Sequence, residues 1–184
     1  MESRNGNRLL YALTGRPGCG KTTAVLRIVE GLMDRNIRVD GMYTVELRVG
    51  GRRVGFKVRR IGGGEGTLAH VNLRTSHRIG RYYVNLRDLE EVGVKAILEG
   101  VREADFIVVD EVGPMELLSK GFRDAVKTLL DSGKHCLLTV HYRSRDPLVE
   151  EVKRAAGRRL IVLDESNRDR VPSIVVGEVV RELG

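Results

Sequence analysis

The segment Gly15-Arg16-Pro17-Gly18-Cys19-Gly20-Lys21-Thr22 constrains this chain more than any other. An apolar run of strand length, Arg8 to Thr14, precedes it. After it, Val25, Ile28, Val29, Leu32 and Met33 recur at the three- and four-residue intervals of a helix with one apolar face. The spacing G-x-x-x-x-G-K-[ST] between a strand and a helix is that of a phosphate-binding loop. The glycines let main-chain N–H groups turn inward around a phosphate without Cβ clashes. The helix N-terminus adds unpaired donors and the positive end of its dipole. Lys21 is expected to set its ammonium against the β- and γ-phosphates, and Thr22 to offer its hydroxyl to Mg²⁺. The whole run Gly15, Arg16, Pro17, Gly18, Cys19, Gly20, Lys21, Thr22 and Thr23 is read as nucleotide-contacting. A helix N-terminus can activate a thiol, but Cys19 is read first as a residue small enough for its place.

The remaining chain alternates strands and helices. Phe106 to Val109, Cys136 to Val140 and Leu160 to Leu163 are apolar strand patterns. Helices are expected from Asp88, with Glu91 as a capping-box partner, to about Glu103, over Phe122 to Leu130, over Pro147 to Ala156 and over Pro172 to Leu183. Repeated β-α units argue for an α/β fold, a three-layer sandwich around a mostly parallel sheet. Residues 41–87 differ. Tyr43 to Val49 and Arg52 to Ile61 alternate around Gly50-Gly51, the mark of a β-hairpin; a glycine loop, Gly62 to Gly66, and a short strand near Arg81 to Leu86 follow. This stretch is read as an antiparallel insertion in a single domain of residues 1–184.

A phosphate loop needs a carboxylate to complete the metal's surroundings. Phe106-Ile107-Val108-Val109-Asp110 supplies an apolar strand ending in an acid. Asp110 would end a strand next to the loop strand and face the Mg²⁺. The long stretch from Lys21 to Asp110 suits the branch in which a further strand lies between the two and a Glu follows the Asp. Glu111 is that residue, placed to orient and deprotonate an attacking water. Lys21 and Glu111 are thus the catalytic candidates, and Thr22 and Asp110 the metal candidates. Glu116, in Gly113-Pro114-Met115-Glu116, is a further polar contact or the start of a helix. Thr139, at a strand end, is open between γ-phosphate sensing and structure, while His141 is read as structural. Arg143 and Arg145 lie in a polar loop where an arginine can neutralise transition-state charge, although surface charge explains them as well. Asn167-Arg168-Asp169 either flanks a base or caps the last helix. Tyr82-Tyr83 either stacks on a base or is a strand pair with one member buried.

Composition sets outer bounds. Hydrophobic residues make up 41% and charged residues 31%, which excludes a disordered or collagen-like chain. No apolar run is long enough to span a bilayer. The polar start, Met1 to Arg8, lacks a signal-peptide core, and two unpaired cysteines, Cys19 and Cys136, fit neither a disulfide framework nor a zinc site. A cytoplasmic protein, expected as a monomer, follows. The net charge of +7 favours polyanions, but the basic residues are scattered and no nucleic-acid motif is present. The absence of Gln and Trp suits a heat-adapted protein.

Four strings occur in order: G-R-P-G-C-G-K-T-T, T-V-E-L-R-V-G-G-R-R-V-G-F from Thr44, V-V-D-E-V-G-P-M-E-L from Val108, and N-R-D near the C-terminus. Together they resemble the P-loop nucleoside-triphosphatase family that includes the thermophile enzymes and the human cancer-related nucleoside-triphosphatase. The resemblance implies Mg²⁺-dependent hydrolysis of nucleoside triphosphates with broad base tolerance. It implies a compact domain of nucleoside-kinase-like architecture, with Asp110, Glu111, Val112 and Gly113 as the second nucleotide-contacting segment. Thr44, Glu46 and Arg48 share one face of the hairpin and either line the cleft or form a polar strand face. The alternative activity is a nucleotide or nucleoside kinase, with Arg143 to Arg145 as its candidate lid. A nucleic-acid-linked ATPase ranks third.

Overall fold

The computed structural model describes residues 7–184; the N-terminal stretch read for a signal segment lies, up to Gly6, outside them. In chain order the elements are β1 (Leu10–Thr14), α1 (Lys21–Met33), β2 (Val39–Val49), β3 (Arg52–Arg60), β4 (Glu65–His70), β5 (Arg78–Ile79) and β6 (Tyr82–Val84). There follow α2 (Leu86–Asp88), a π-helical stretch (Leu89–Val94), α3 (Lys95–Glu103), β7 (Phe106–Val112) and α4 (Lys120–Asp131). The chain ends with β8 (His135–Val140), α5 (Pro147–Ala156), β9 (Leu160–Val162) and α6 (Val171–Leu183).

All of the described strands join one sheet, in the order β5-β6-β4-β3-β2-β7-β8-β1-β9. From β2 to β9 neighbouring strands run parallel; from β2 outward to β5 they run antiparallel. β8 lies between the loop strand β1 and the acid-bearing strand β7, the intervening strand that the long Lys21-to-Asp110 spacing led to expect, so the strand of Asp110 is not the direct neighbour of β1. The parallel strands are apolar on both faces because helices cover both. Along β1, Leu10 and Ala12 join one core while Leu9, Tyr11 and Leu13 join the other. Helices α3, α4 and α5 close the first core with Ile97, Phe122, Val126, Leu148 and Val152. Helices α1 and α6 close the second with Val25, Ile28, Val175 and Val179.

The expected antiparallel region is present and extends the same sheet. It grows from β2, whose first half pairs with β7 (Val39 opposite Phe106, Met42 opposite Val109) and whose second half pairs with β3. Gly41 marks the change. Its φ is +129°, and its carbonyl accepts the Ile61 N–H at 3.0 Å. A Cβ built there would lie 1.9 Å from the Val108 carbonyl oxygen, so a side chain would force β2 off β7. The glycine loop is shorter than expected, since β4 starts at Glu65, whose carboxylate pairs with Lys57 and with Arg59 at 2.9 Å.

Helix starts also differ from the sequence reading. The helix expected from Asp88 is capped by Asn85, whose side chain accepts the Asp88 N–H at 3.1 Å. Asp88 instead accepts the Thr67 N–H at 2.8 Å, tying the helix to β4. Ser119 caps α4 by accepting the Phe122 N–H, and its hydroxyl donates to Glu90. Asp146 caps α5 one residue before Pro147 and is gripped by both terminal nitrogens of Arg123, the nearer at 2.6 Å.

The close approach at Gly41 gives a stability prediction. Gly41→Ala should lower the unfolding free energy by about 3 kcal/mol, the upper end of ordinary overpacking costs, measured by urea denaturation. A loss under about 1 kcal/mol would show that β2 can move away from β7 without disturbing the sheet.

Candidate active site

The loop joining β1 to α1 is anchored at both ends. Thr14 donates through its hydroxyl to the Val140 carbonyl at 3.0 Å, and Leu163 N–H donates to the Thr14 carbonyl at 2.7 Å. Within the loop, Cys19 N–H donates to the Arg16 carbonyl at 3.1 Å. Gly20 enters α1 with φ +102°, a left-handed conformation that suits glycine, and its carbonyl accepts the Ala24 N–H. The Cys19 sulfur packs against Gly15, 2.7 Å from where a Cβ would stand, which fits the packing reading of this cysteine. Lys21 folds back along the loop and donates to the Gly15 carbonyl at 3.0 Å.

The sheet brings β7 to this loop across β8. Thr22, in the first turn of α1, donates its hydroxyl to one Asp110 carboxylate oxygen at 2.7 Å, and Thr139 on β8 donates to the other at 2.6 Å. Asp110 is 2% exposed and Thr139 is fully buried. Thr139 therefore supports Asp110 from behind. Burial pushes the Asp110 carboxyl above its usual range, against the two hydroxyl donors and Lys21. The peptide between Asp110 and Glu111 is cis.

Lys21, Thr22, Thr23, Asp110, Glu111, Glu116 and His141 line one cavity with Gly15, Pro17, Gly18 and Gly20. Burial raises the Glu111 carboxyl above its ordinary value and the Asp110 charge adds to this, while Lys21 opposes it. Glu116 is 5% exposed and its carboxyl is raised to about 8 by burial first and by Glu111 second. Gly113 separates the two glutamates: a Cβ there would lie 2.7 Å from a Glu111 oxygen and 3.1 Å from a Glu116 oxygen. The whole of Gly113-Pro114-Met115-Glu116 thus packs a second acid beside the first, and the helix-start reading of Glu116 holds only for the short 3-10 turn Glu116–Leu118.

Other candidates fall elsewhere. Val112 is fully buried in the core rather than facing the cavity. Arg16 and Arg143 line a smaller depression with Pro17, His141 and Tyr142, and Arg145 is exposed. Asn167 locks its own loop, accepting from Asp164 N–H and donating to the Val162 carbonyl, both at 2.9 Å, while Arg170 occupies the cap position of α6. Arg168 lies beside Gly20, and Asp169 pairs with Arg27 on the surface. Tyr82 is the buried member of its pair and does line the cavity, whereas Tyr83 sits under Arg74 and Arg78. Thr44, Glu46 and Arg48 do line the cavity, joined by Arg53, Phe56 and Met115, which sequence reasoning missed. The hairpin register carried the signal for two of them, since it sets Arg53 opposite Arg48 and Phe56 opposite Glu46.

The state of Glu116 has a measurable consequence. Folded, it keeps its proton up to pH about 8; unfolded, it releases it near its ordinary value of 4.5. Between those values unfolding releases a proton, so stability falls as pH rises, by up to a few kcal/mol. Glu116→Gln should remove this share of the slope, as followed by denaturant unfolding of nucleotide-free protein from pH 4.5 to 8. Parallel profiles for the two proteins would contradict it.

The chain is similar to known proteins along most of its length. A family model described as NTPase matches residues 10–176. The protein named Nucleoside-triphosphatase THEP1 from Thermofilum pendens is 45% identical over 171 residues, covering 92% of this chain and 94% of its own. Its namesake from Thermotoga petrophila is 45% identical over 157 residues, 85% of each chain. The crystal structure of THEP1 from the hyperthermophile Aquifex aeolicus superposes with a TM-score of 0.84 at 33% identity, over 93% of this chain and 99% of that one. The solution structure of a human cancer-related nucleoside triphosphatase gives a TM-score of 0.74 at 34% identity, over 93% and 97%. With a family model spanning nearly all of the described residues and relatives this similar along most of their length, the chain belongs to the NTPase family.

Proposed function

We propose that this protein hydrolyses nucleoside triphosphates to the diphosphate and phosphate, with Mg²⁺ and with tolerance for several bases. The observation that carries the reading is the contact between Thr22 and Asp110 beside Lys21. It joins a glycine loop able to hold phosphates to a buried carboxylate that has an acidic neighbour. The oxygen donors at this contact fit a hard cation such as Mg²⁺. Thr22 and Asp110 would hold the ion, directly or through water. When bound, it neutralises charge on the β- and γ-phosphates.

The protein's own groups account for the rest. Main-chain N–H groups of the Gly15–Gly20 loop and the N-terminus of α1 bind the phosphates. The Lys21 ammonium leaves the Gly15 carbonyl for the terminal phosphate, a short movement for a flexible side chain. Glu111 orients a water and takes its proton at a carboxylate oxygen as the water attacks the terminal phosphorus and the bond to the diphosphate breaks. Its raised proton affinity makes it a better base than an exposed glutamate. Glu116, neutral near pH 7, spares Glu111 a second full negative charge across Gly113.

Glu111→Ala should leave triphosphate binding within about threefold and lower turnover by about 10²- to 10⁴-fold. Equilibrium binding and phosphate release, each with Mg²⁺ and with a chelator, make the check; chelation should stop release by the parent protein. Unchanged release by Glu111→Ala would remove this residue from the mechanism.

A further inference from the structure

The cavity does not stop where a terminal phosphate would lie. It continues over the antiparallel extension, walled by Glu46 and Arg48 of β2, Arg53 and Phe56 of β3, Tyr82 of β6, and Met115. Its volume is about 810 Å³, within the ~300–1,000 Å³ typical of small-molecule sites. That volume includes the side lined by the Gly15–Thr23 loop, and beyond a triphosphate an attacking water needs only about 30 Å³. The nucleoside end of the same triphosphate is the competing occupant, and on the proposed function it lies elsewhere. On the proposed function the terminal phosphate lies by the Thr22–Asp110 contact, and the nucleoside end would then leave the loop on the side away from β7. On that far side Arg168 stands 3.6 Å from where a Gly20 Cβ would be, in a segment that contributes nothing to the cavity wall.

The wall has a definite chemistry. Glu46 accepts from Arg48 at 2.7 Å and from Arg53 at 2.9 Å, so two guanidinium groups share one carboxylate and leave one positive charge over. Arg53 is fixed in place: it donates to the Tyr82 hydroxyl at 2.9 Å and lies 5.2 Å from the centre of the Phe56 ring. Phe56 and Tyr82 meet edge to face at 5.2 Å, and Met115 adds a polarisable apolar surface. Aromatic and thioether surface suits a flat ring. Arginine side chains about half exposed suit an anionic group in bidentate contact.

We propose that this compartment binds a second small molecule, a planar ring compound carrying an anionic group, of the nucleoside monophosphate type, together with the nucleoside triphosphate. The inference rests on the proposed function in one respect, that the triphosphate occupies the Gly15–Thr22 loop. The second ligand then shares one cavity with the terminal phosphate, which Lys21, Glu111 and Glu116 also line.

The test is equilibrium binding of AMP, GMP, CMP and UMP to protein saturated with a non-hydrolysable triphosphate and Mg²⁺. Nucleosides and inorganic phosphate serve as the two half-ligand arms. At least one monophosphate should bind one per chain without displacing the analogue, and more tightly than either half. Arg48→Ala, at an exposed position, and the conservative Phe56→Leu should each weaken it at least about tenfold. No monophosphate binding to the loaded protein would overturn the proposal, as would displacement by added analogue or affinity unchanged in both variants. Phosphate release measured on the same preparations separates the two readings. Release without monophosphate binding overturns this inference alone, whereas an analogue that fails to bind removes the hydrolase reading and this inference with it.

Discussion

Everything in the site depends on one buried carboxylate held by two hydroxyls. Asp110 receives Thr22 from α1 and Thr139 from β8, so three elements far apart in sequence meet at one pair of oxygens. A buried, unpaired carboxylate would be costly. Here both oxygens are satisfied and aimed, one towards the loop and one into the sheet. The order β7-β8-β1 makes this possible: β8 carries Thr139 between the acid and the loop. Parallel pairing puts all three C-terminal strand ends on one edge, where ligands bind in open α/β sheets.

Around that carboxylate the charges are graded. Lys21 supplies the positive charge, and the half-buried Glu111 and the buried Glu116 add two further acids. Three full negative charges so close would repel one another; raised proton affinity relieves this, most clearly at Glu116. Gly113 lets the two glutamates approach, and the antiparallel extension closes the cavity above them. Gly41, which lets β2 serve the parallel sheet and the extension at once, is therefore as much a part of the site's construction as the glycines of the loop.

Local signals made much of this legible. The loop, the helix behind it and the acid-ended strand each have a short-range pattern, and the hairpin was visible in its alternation around Gly50-Gly51. What escaped was set by register and packing. Nothing near Asp88 shows that it would serve Thr67 while Asn85 caps the helix, because the choice depends on β4 lying alongside. Thr139 was found as a residue, but its role follows from strand order, which no local pattern encodes. Val112 matched a family string yet packs into the core with Ile107 and Val109, because the β7 register shifts between Val109 and Val112. Arg53 and Phe56 looked like ordinary strand residues until the register set them opposite Arg48 and Glu46.

The account stands or falls on where the metal and the triphosphate sit. Crystals grown with Mn²⁺ and a non-hydrolysable triphosphate would locate both, the metal by its anomalous scattering. A metal peak is expected against the Thr22 hydroxyl on the Asp110 side, with the terminal phosphate on the Lys21 ammonium and Glu111 facing it. A metal peak remote from Thr22 and Asp110, or a triphosphate lying outside the Gly15–Thr22 loop, would contradict it.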